Sequence, residues 1–288
     1  MFTGTYTAII TPFAGDGALD EAGLRTLVER QVAGGVDGVV PVGTTGESPT
    51  LSMDEHRRVI ELTIETVAGR CKVVAGTGAN STAEAVELTE FAKAAGADGT
   101  LQVTPYYNKP SQEGLFRHFS AVADVGLPVV LYNVPGRSAL AISIETASRL
   151  AAHEHVVAIK EAAGSVDRVS ELLQVCDLTV LSGDDGLTLP MMSVGAKGVI
   201  SVLANVLPKE MSALTHAALA GDWTTAQELH ARYYQLMCDM FIDTNPVPVK
   251  AAMAMAGLCE EVYRLPLCEL SDEARGVLRA SLSASGVL

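Results

Sequence analysis

The sequence has few cysteines, and they are not spaced as in a disulfide framework or a zinc site. Its 288 residues include five cysteines, an odd number, and no Cys-x-x-Cys pair. The six histidines form no His-Glu-x-x-His motif, so a structural or catalytic metal has no evident set of ligands. We therefore expect neither a disulfide-stabilised fold nor a metalloenzyme.

Basic residues are also scarce, and the sequence has no clear membrane span. Twenty lysines and arginines face 34 acidic residues, which gives a net charge of -14 and disfavours nucleic acids and anionic membranes as partners. The most apolar stretch, residues 187–207, contains Lys197 and several glycines and is a poor membrane span. The N-terminus does not resemble a signal peptide. We expect a soluble cytoplasmic protein, and a local arginine can still bind a small anionic substrate.

Short β-branched runs alternate with amphipathic segments along the first 220 residues. Eight runs are predicted strands: Tyr6–Thr11, Gly38–Val42, Lys72–Gly76, Gly99–Thr104, Val129–Asn133, Val156–Lys160, Thr179–Ser182 and Gly198–Val202. The segments between them carry apolar residues at three- and four-residue steps, which predicts helices. Later, only helical patterns remain: Lys209–Ala220, Thr224–Phe241, Val247–Ala256 and Ser271–Ala284.

Eight strands that alternate with helices favour a closed (β/α)8 barrel. A doubly wound open sheet is the alternative, but it would normally have a phosphate-binding turn after the first strand, and none is present. We predict an α/β protein in two parts: residues 1–222 form the barrel with the active site, and residues 223–288 form a C-terminal helical domain packed on it.

In such a barrel the chemistry lies at the carboxyl ends of the strands. There the sequence places hydroxyls, one amine and one guanidinium: Thr44, Thr45, Ser48, Thr77, Tyr106, Tyr107, Tyr132, Arg137, Lys160, Ser182 and Ser201. Each has a simpler interpretation when taken alone. Arg137 can be a surface ion-pair residue, Tyr106 and Tyr107 can be packing or interface aromatics, and Asp184-Asp185 favours hydrogen bonding and capping over metal binding.

Lys160 is the most informative residue of this group. It ends the apolar run Val156–Ile159, where partial removal from water disfavours the charged ammonium form. A neutral amine is a nucleophile that can form a Schiff base with a carbonyl compound. A tyrosine at the neighbouring strand end, Tyr132, can move the required protons. The alternative is a lysine whose stem packs on apolar surface while its head reaches solvent.

Several motifs together resemble the dihydrodipicolinate synthase family, which belongs to the pyruvate-dependent class I aldolases. They are Gly43-Thr44-Thr45-Gly46-Glu47, Thr104-Pro105-Tyr106-Tyr107-Asn108, Tyr132-Asn133-Val134-Pro135-Gly136-Arg137, Ile159-Lys160-Glu161, Gly183-Asp184-Asp185, Gly198-Val199-Ile200-Ser201 and Asn245-Pro246-Val247-Pro248-Val249-Lys250. The resemblance spans nearly the whole chain. It implies a barrel with a C-terminal helical domain, usually a homotetramer.

The resemblance also implies an activity in lysine and diaminopimelate biosynthesis that needs no cofactor. Lys160 would form an imine with pyruvate, and the resulting enamine would attack L-aspartate 4-semialdehyde to give 4-hydroxy-tetrahydrodipicolinate. Tyr132, Thr44 and Tyr107 would relay protons, with Tyr107 reaching into a neighbouring subunit. Thr45 would bind the pyruvate carboxylate and Arg137 that of the semialdehyde, while Gly183 and Ile200 would line the pocket with backbone groups.

Related lyases are the alternative, namely N-acetylneuraminate lyase or another 2-oxo-acid sugar aldolase. Those lyases usually carry Ser-Thr in place of Thr44-Thr45 and lack the Tyr-Tyr-Asn run, so the synthase is favoured. A regulatory site for L-lysine is a further implication, near Ser48, His56, Asn80, Glu84 and Tyr106. Met53 and Pro49 depart from the residues common there, and His56 and Glu84 can equally be ordinary polar residues at helix starts.

Overall fold

Eight parallel strands close into a barrel in the computed structural model of the protein, which describes residues 2–288. The strands are β1 (Gly4–Ala8), β2 (Gly38–Val40), β3 (Lys72–Gly76), β4 (Gly99–Val103), β5 (Val129–Asn133), β6 (Val156–Glu161), β7 (Thr179–Ser182) and β8 (Gly198–Ser201). Each strand pairs with the next in the sequence, and β1 pairs with β8. The predicted (β/α)8 barrel is therefore confirmed.

Twelve helices surround and extend the barrel within residues 2–288. They are α1 (Glu21–Ala33), α2 (Met53–Val67), α3 (Thr82–Ala95), α4 (Gln112–Ala123), α5 (Pro135–Ser138), α6 (Ile144–Ala151), α7 (Asp167–Val175), α8 (Thr188–Ser193), α9 (Pro208–Leu219), α10 (Trp223–Asp239), α11 (Val247–Met255) and α12 (Asp272–Ala284). The hydroxyl of Ser52 caps α2 in a capping box with Glu55. The four helices predicted after β8 lie within two residues of their predicted bounds, whereas the four-residue α5 was missed.

Four strands end earlier than predicted: β4 and β8 by one residue, and β1 and β2 by more, for local reasons. β1 ends at Ala8 because the backbone N–H of Ile10 donates to the side chain of Asn205 rather than to a strand. β2 ends at Val40 because Pro41 has no N–H to donate and Val42 has a left-handed backbone with φ 52°. Both changes convert predicted strand into loop at the rim that carries the candidate chemistry.

The helices after β8 share one apolar core with the barrel. Leu236, Met253 and Leu282 from α10, α11 and α12 belong to the same buried cluster as Ile10 and Val199 of the barrel part. The C-terminal helices therefore pack on the barrel, as expected. The exact division at residue 222 stays a prediction, although α10 begins at Trp223. Among the helices of residues 2–288, none combines the length and apolarity needed to cross a membrane.

Candidate active site

Lys160 lies near the end of β6 and points into the barrel. It pairs in register with Tyr132 of β5 and Leu181 of β7, and Tyr132 and Leu181 both belong to the barrel's interior cluster. Its Nζ lies 4.3 Å from the centroid of the Tyr132 ring, and Lys160 is only 5% exposed. The amine is thus held against an aromatic face, away from bulk water. The alternative, a lysine whose stem is packed while its head reaches solvent, does not apply.

Gly183, just after β7, brings the backbone close to this lysine. A β-carbon added there would lie 2.6 Å from Cβ of Ala162 and 3.0 Å from Cε of Lys160. No side chain larger than hydrogen fits without displacing one of these atoms. The backbone at Gly183 therefore lies close against the lysine stem and restricts the positions that its amine can take.

The loop after β2 carries Thr44 and Thr45 and is bracketed by two left-handed residues. Val42 has φ 52° and Glu47 has φ 54°, an uncommon conformation that is unfavourable for a β-branched residue such as Val42. Gly76 makes room for the loop, because a β-carbon there would lie 2.5 Å from the carbonyl oxygen of Val42. The surrounding structure thus imposes this loop shape.

Asn245, ahead of α11, connects the two predicted carboxylate-binding residues. Its Nδ2 donates to the Thr45 hydroxyl at 2.9 Å. Its backbone carbonyl accepts a hydrogen bond from Arg137 Nη2 at 3.1 Å. Because the Thr45 oxygen is already an acceptor, its own O–H is free to donate into the cavity. This role of Asn245 was not predicted from the sequence, although Asn245 opens the Asn-Pro-Val-Pro-Val-Lys motif.

Two neighbouring cavities open at this end of the barrel and share Tyr132 and Arg137. The lysine cavity measures about 420 Å³ and is lined by Thr45, Tyr132, Val134, Gly136, Arg137, Lys160, Ala162, Gly183, Asp184, Val202, Phe241, Thr244 and Asn245. The outer cavity measures about 220 Å³ and is lined by Val42, Gly43, Thr44, Ser48, Pro49, Gly76, Gly78, Leu101, Val103, Tyr106, Tyr132, Arg137 and Ser138. Tyr132 therefore lines one cavity together with Thr44 and the other together with Lys160.

Tyr107 stands apart from both cavities. It is 91% exposed and has a left-handed backbone with φ 73°. The backbone N–H of Asn108 donates to the carbonyl of Tyr106 at 2.9 Å, which makes a tight three-residue turn with Tyr107 at its tip. The structure thus projects this phenol into solvent rather than toward Lys160 of its own chain.

The residues of the predicted lysine site lie around the outer cavity and beside it. Ser48 and Tyr106 line it, and Asn80 Nδ2 donates to the carbonyl of Tyr106 at 3.2 Å. Burial, with the nearby negative charge of Glu84 as a smaller contribution, raises the pKa of Tyr106. His56 instead is buried and bonds through Nε2 to the carbonyl of Gly76 at 2.8 Å, and burial lowers its pKa.

Ile200 lies inside the barrel and does not line either cavity with its side chain. It packs in the interior cluster with Tyr132 and Leu181. The backbone just after it is held by Asp185, which is fully buried and accepts hydrogen bonds from the Ser201 hydroxyl at 2.5 Å and from the N–H groups of Val202 and Leu203. The hydrogen-bonding role predicted for Asp185 is therefore confirmed.

No group of three or more metal-ligating side chains occurs within residues 2–288. The sequence contains one His-x-His pair, His153 and His155, which could suggest metal ligands. His153 bonds instead to the carboxylate of Asp124 at 3.1 Å.

Comparison with known proteins agrees with this geometry along the whole chain. The sequence model of the "Dihydrodipicolinate synthetase family" matches residues 1–285. The 4-hydroxy-tetrahydrodipicolinate synthase of Pelobacter propionicus is 53% identical over 291 residues, which cover 100% of both chains.

Solved structures agree equally well. The chloride-inhibited dihydrodipicolinate synthase from Acinetobacter baumannii, complexed with pyruvate, matches with a TM-score of 0.98 and 45% identity over 100% of both chains. The enzyme from Cyanidioschyzon merolae with lysine bound matches with a TM-score of 0.96 and 38% identity over 100% of this chain and 99% of that one. The match in sequence and fold spans the barrel and the C-terminal helices alike, so the chain belongs to the dihydrodipicolinate synthetase family.

Proposed function

We propose that this chain is a lyase that condenses pyruvate with L-aspartate 4-semialdehyde to 4-hydroxy-tetrahydrodipicolinate and water, the first committed step toward diaminopimelate and lysine. The observation that carries the proposal is the buried amine of Lys160, 4.3 Å from the Tyr132 ring, in a cavity that also contains Thr45 and Arg137. Full-length relatives bear the name of this enzyme.

The first step is attack of the Lys160 amine on the ketone carbon of pyruvate. The carbinolamine loses its hydroxyl as water, and an imine joins Lys160 to the substrate. Tyr132 delivers the proton that this water carries away, and Thr44 passes protons to Tyr132 from the outer cavity. The methyl carbon then gives a proton to the relay of Tyr132 and Thr44, and the protonated imine accepts the electrons released, so no cofactor is required.

The pyruvate carboxylate binds to the loop after β2. The Thr45 hydroxyl donates to it, because Asn245 already occupies the Thr45 oxygen as an acceptor. A hydrogen bond to a charged group is worth about 1.5–3 kcal/mol, enough to fix the orientation of a three-carbon acid. Backbone groups of Gly183 and Ile200 complete the wall around it, as part of the same proposal.

The second substrate binds through its carboxylate to Arg137. One of the five guanidinium N–H groups is used on the carbonyl of Asn245, which leaves an edge free for a bidentate grip. The enamine carbon attacks the aldehyde carbon and its oxygen takes up a proton. The substrate amine then displaces Lys160 from the imine carbon, which closes the ring and frees the enzyme.

Tyr107 completes the proton relay of a neighbouring subunit in this proposal. Its projection into solvent, at 91% exposure, is what a residue shared across an interface requires. We place the enzyme in the cytoplasm as a homotetramer, and both the location and the tetramer stay predictions.

L-lysine binds as an inhibitor near the outer cavity in the same proposal. The acidic side chain of Glu84 and the polar groups of Ser48, Asn80 and Tyr106 suit an amino acid with two ammonium groups. The relative from Cyanidioschyzon merolae was solved with lysine bound. Buried His56 does not line the outer cavity but bonds to the carbonyl of Gly76, which does.

Covalent trapping tests the proposed chemistry. Borohydride with pyruvate should reduce an adduct onto Lys160, detectable by peptide mapping as a mass increase on that residue alone. Lys160→Arg, which keeps the charge, is the matched control and should give no adduct. Reduction onto another lysine, or onto none, would contradict the imine mechanism.

A comparison of second substrates tests the choice of reaction. With pyruvate present, aspartate semialdehyde should be turned over and N-acetylmannosamine should not. Turnover of the sugar alone would instead identify the chain as a neuraminate lyase.

A further inference from the structure

A fully buried ion pair joins the C-terminal helices to the loop that carries Thr44 and Thr45. Lys250 of α11 and Glu47, 203 positions apart, are 0% and 1% exposed at their side chains, and Lys250 Nζ donates to Glu47 Oε1. Neither residue lines the lysine cavity or the outer cavity. The chemistry proposed above makes no use of this pair.

The surroundings of the pair hold both charges in one place. Lys250 Nζ also donates to the carbonyl of Val262 at 2.9 Å and lies 4.2 Å from the centroid of the Phe13 ring. The backbone N–H of Arg264 approaches the other carboxylate oxygen of Glu47 at 3.4 Å. Burial lowers the pKa of Lys250, and the charge of Glu47 opposes that shift.

Backbone hydrogen bonds connect Glu47 to the turn that contains Thr44 and Thr45. Its backbone N–H donates to the carbonyl of Thr44 at 3.1 Å, and Gly46 N–H donates to the carbonyl of Gly43 at 3.0 Å. Its left-handed conformation, φ 54° and ψ 37°, ends the loop. A displacement of the Glu47 side chain therefore moves a short, internally bonded turn rather than a flexible segment.

Stability alone is a weak reason for a buried ion pair. Removing two charges from water costs as much as their attraction returns, so apolar side chains of similar volume often stabilise a protein equally well. What an ion pair adds is direction, because a carboxylate with defined donors has one favoured orientation. The loop beside this pair needs that orientation, since Thr45 must present its hydroxyl to a substrate.

We propose that Lys250 and Glu47 are a positioning pair that sets the Thr44–Thr45 loop for pyruvate binding and proton relay. The C-terminal helices thereby become part of the active-site scaffold, acting at Glu47 as well as through Asn245. This inference rests on the proposed function, because it assumes that Thr45 holds the pyruvate carboxylate.

The test uses the double variant Lys250→Met/Glu47→Gln, which removes both charges at once and leaves no unpaired buried ion. The half-saturating pyruvate concentration for borohydride trapping on Lys160 should rise about tenfold or more, and kcat should fall, in folded protein. The single variants Lys250→Met and Glu47→Gln should show the same direction. Near-ultraviolet circular dichroism identifies the folded fraction.

Arg275→Met is the matched control within the C-terminal helices. It breaks the ion pair of Arg275 with Glu261, which is also partly buried and which includes neither Lys250 nor Glu47. This variant should lose stability while its half-saturating pyruvate concentration and kcat stay within about twofold of the wild type.

Two results would overturn the inference. One is a folded double variant whose trapping and kcat match the wild type, which would make the pair a matter of stability alone. The other is a double variant that cannot fold, which would assign the pair to the fold itself. Failure of the wild-type chain to form any pyruvate adduct would instead refute the proposed function, so the two failures are distinguishable.

Discussion

A single methyl group added at Gly183 tests how closely the cavity wall confines Lys160. In Gly183→Ala the new β-carbon would lie 2.6 Å from Cβ of Ala162, 3.0 Å from Cε of Lys160 and 3.2 Å from the carbonyl oxygen of Glu161. Its closest neighbour is a β-carbon attached to the main chain, which no rotamer change can move. The backbone or the lysine stem must therefore shift.

The size of the effect follows from these distances. Carbon atoms pack at about 3.5–4.0 Å, so the contact with Ala162 requires a displacement of roughly 1 Å. Such overpacking costs about 1–3 kcal/mol of stability. A misplacement of about 1 Å at a reacting group costs roughly a factor of 100 in rate. We expect kcat/KM to fall between about 10- and 100-fold, or about 1.4–2.7 kcal/mol.

The assay compares Gly183→Ala with Gly136→Ala. Gly136 lines the same cavity, but a β-carbon there would meet nothing within 4 Å. Steady-state rates and the rate of borohydride trapping with pyruvate should fall together in Gly183→Ala and stay near the wild-type values in Gly136→Ala. Thermal unfolding shows whether each protein is folded.

A folded Gly183→Ala enzyme with wild-type kcat/KM and trapping rate would refute the reasoning. It would mean that the backbone at Gly183 can shift to accept the methyl group without moving the Lys160 amine. Equal losses in both variants would also contradict it, because then any methyl group in the cavity, rather than the clash at Lys160, would explain the fall.

Three further predictions concern other parts of the molecule. Tyr107→Phe should lower kcat roughly 100-fold without loss of stability, since this side chain is 91% exposed; mixing it with Lys160→Arg should restore activity only if the relay crosses subunits. Asn245→Ala should raise KM for pyruvate about fivefold, for the loss of about 1 kcal/mol of hydrogen bonding to Thr45, whereas an unchanged KM would remove Asn245 from carboxylate binding. Burial lowers the pKa of His118 from 6.5 to about 4, so the unfolded chain binds a proton first as the pH falls through this window. Between pH 6.5 and 4, urea unfolding should therefore show that the wild type loses about 3 kcal/mol more stability than His118→Gln loses.

Much of the candidate site could be predicted from local sequence because its residues follow predicted strands. Lys160, Tyr132, Thr44 and Thr45 lie at or after strand ends, and parallel strands in a barrel bring their carboxyl ends to one rim. Periodicity could not predict Asn245 or Lys250. Both lie about 200 positions from their partners Thr45 and Glu47. The only sequence signal for either residue was the motif Asn245-Pro246-Val247-Pro248-Val249-Lys250, which contains both.

The alternation of strands and helices and the rim motifs were determined by the sequence itself, because side-chain periodicity follows from local backbone geometry. The tertiary structure alone decided which distant groups touch. It set the left-handed turns at Val42 and Glu47, the close approach of Gly183 to Lys160 and the burial of Lys250 against Glu47. These contacts depend on the docking of the C-terminal helices and on barrel closure, which no local pattern encodes.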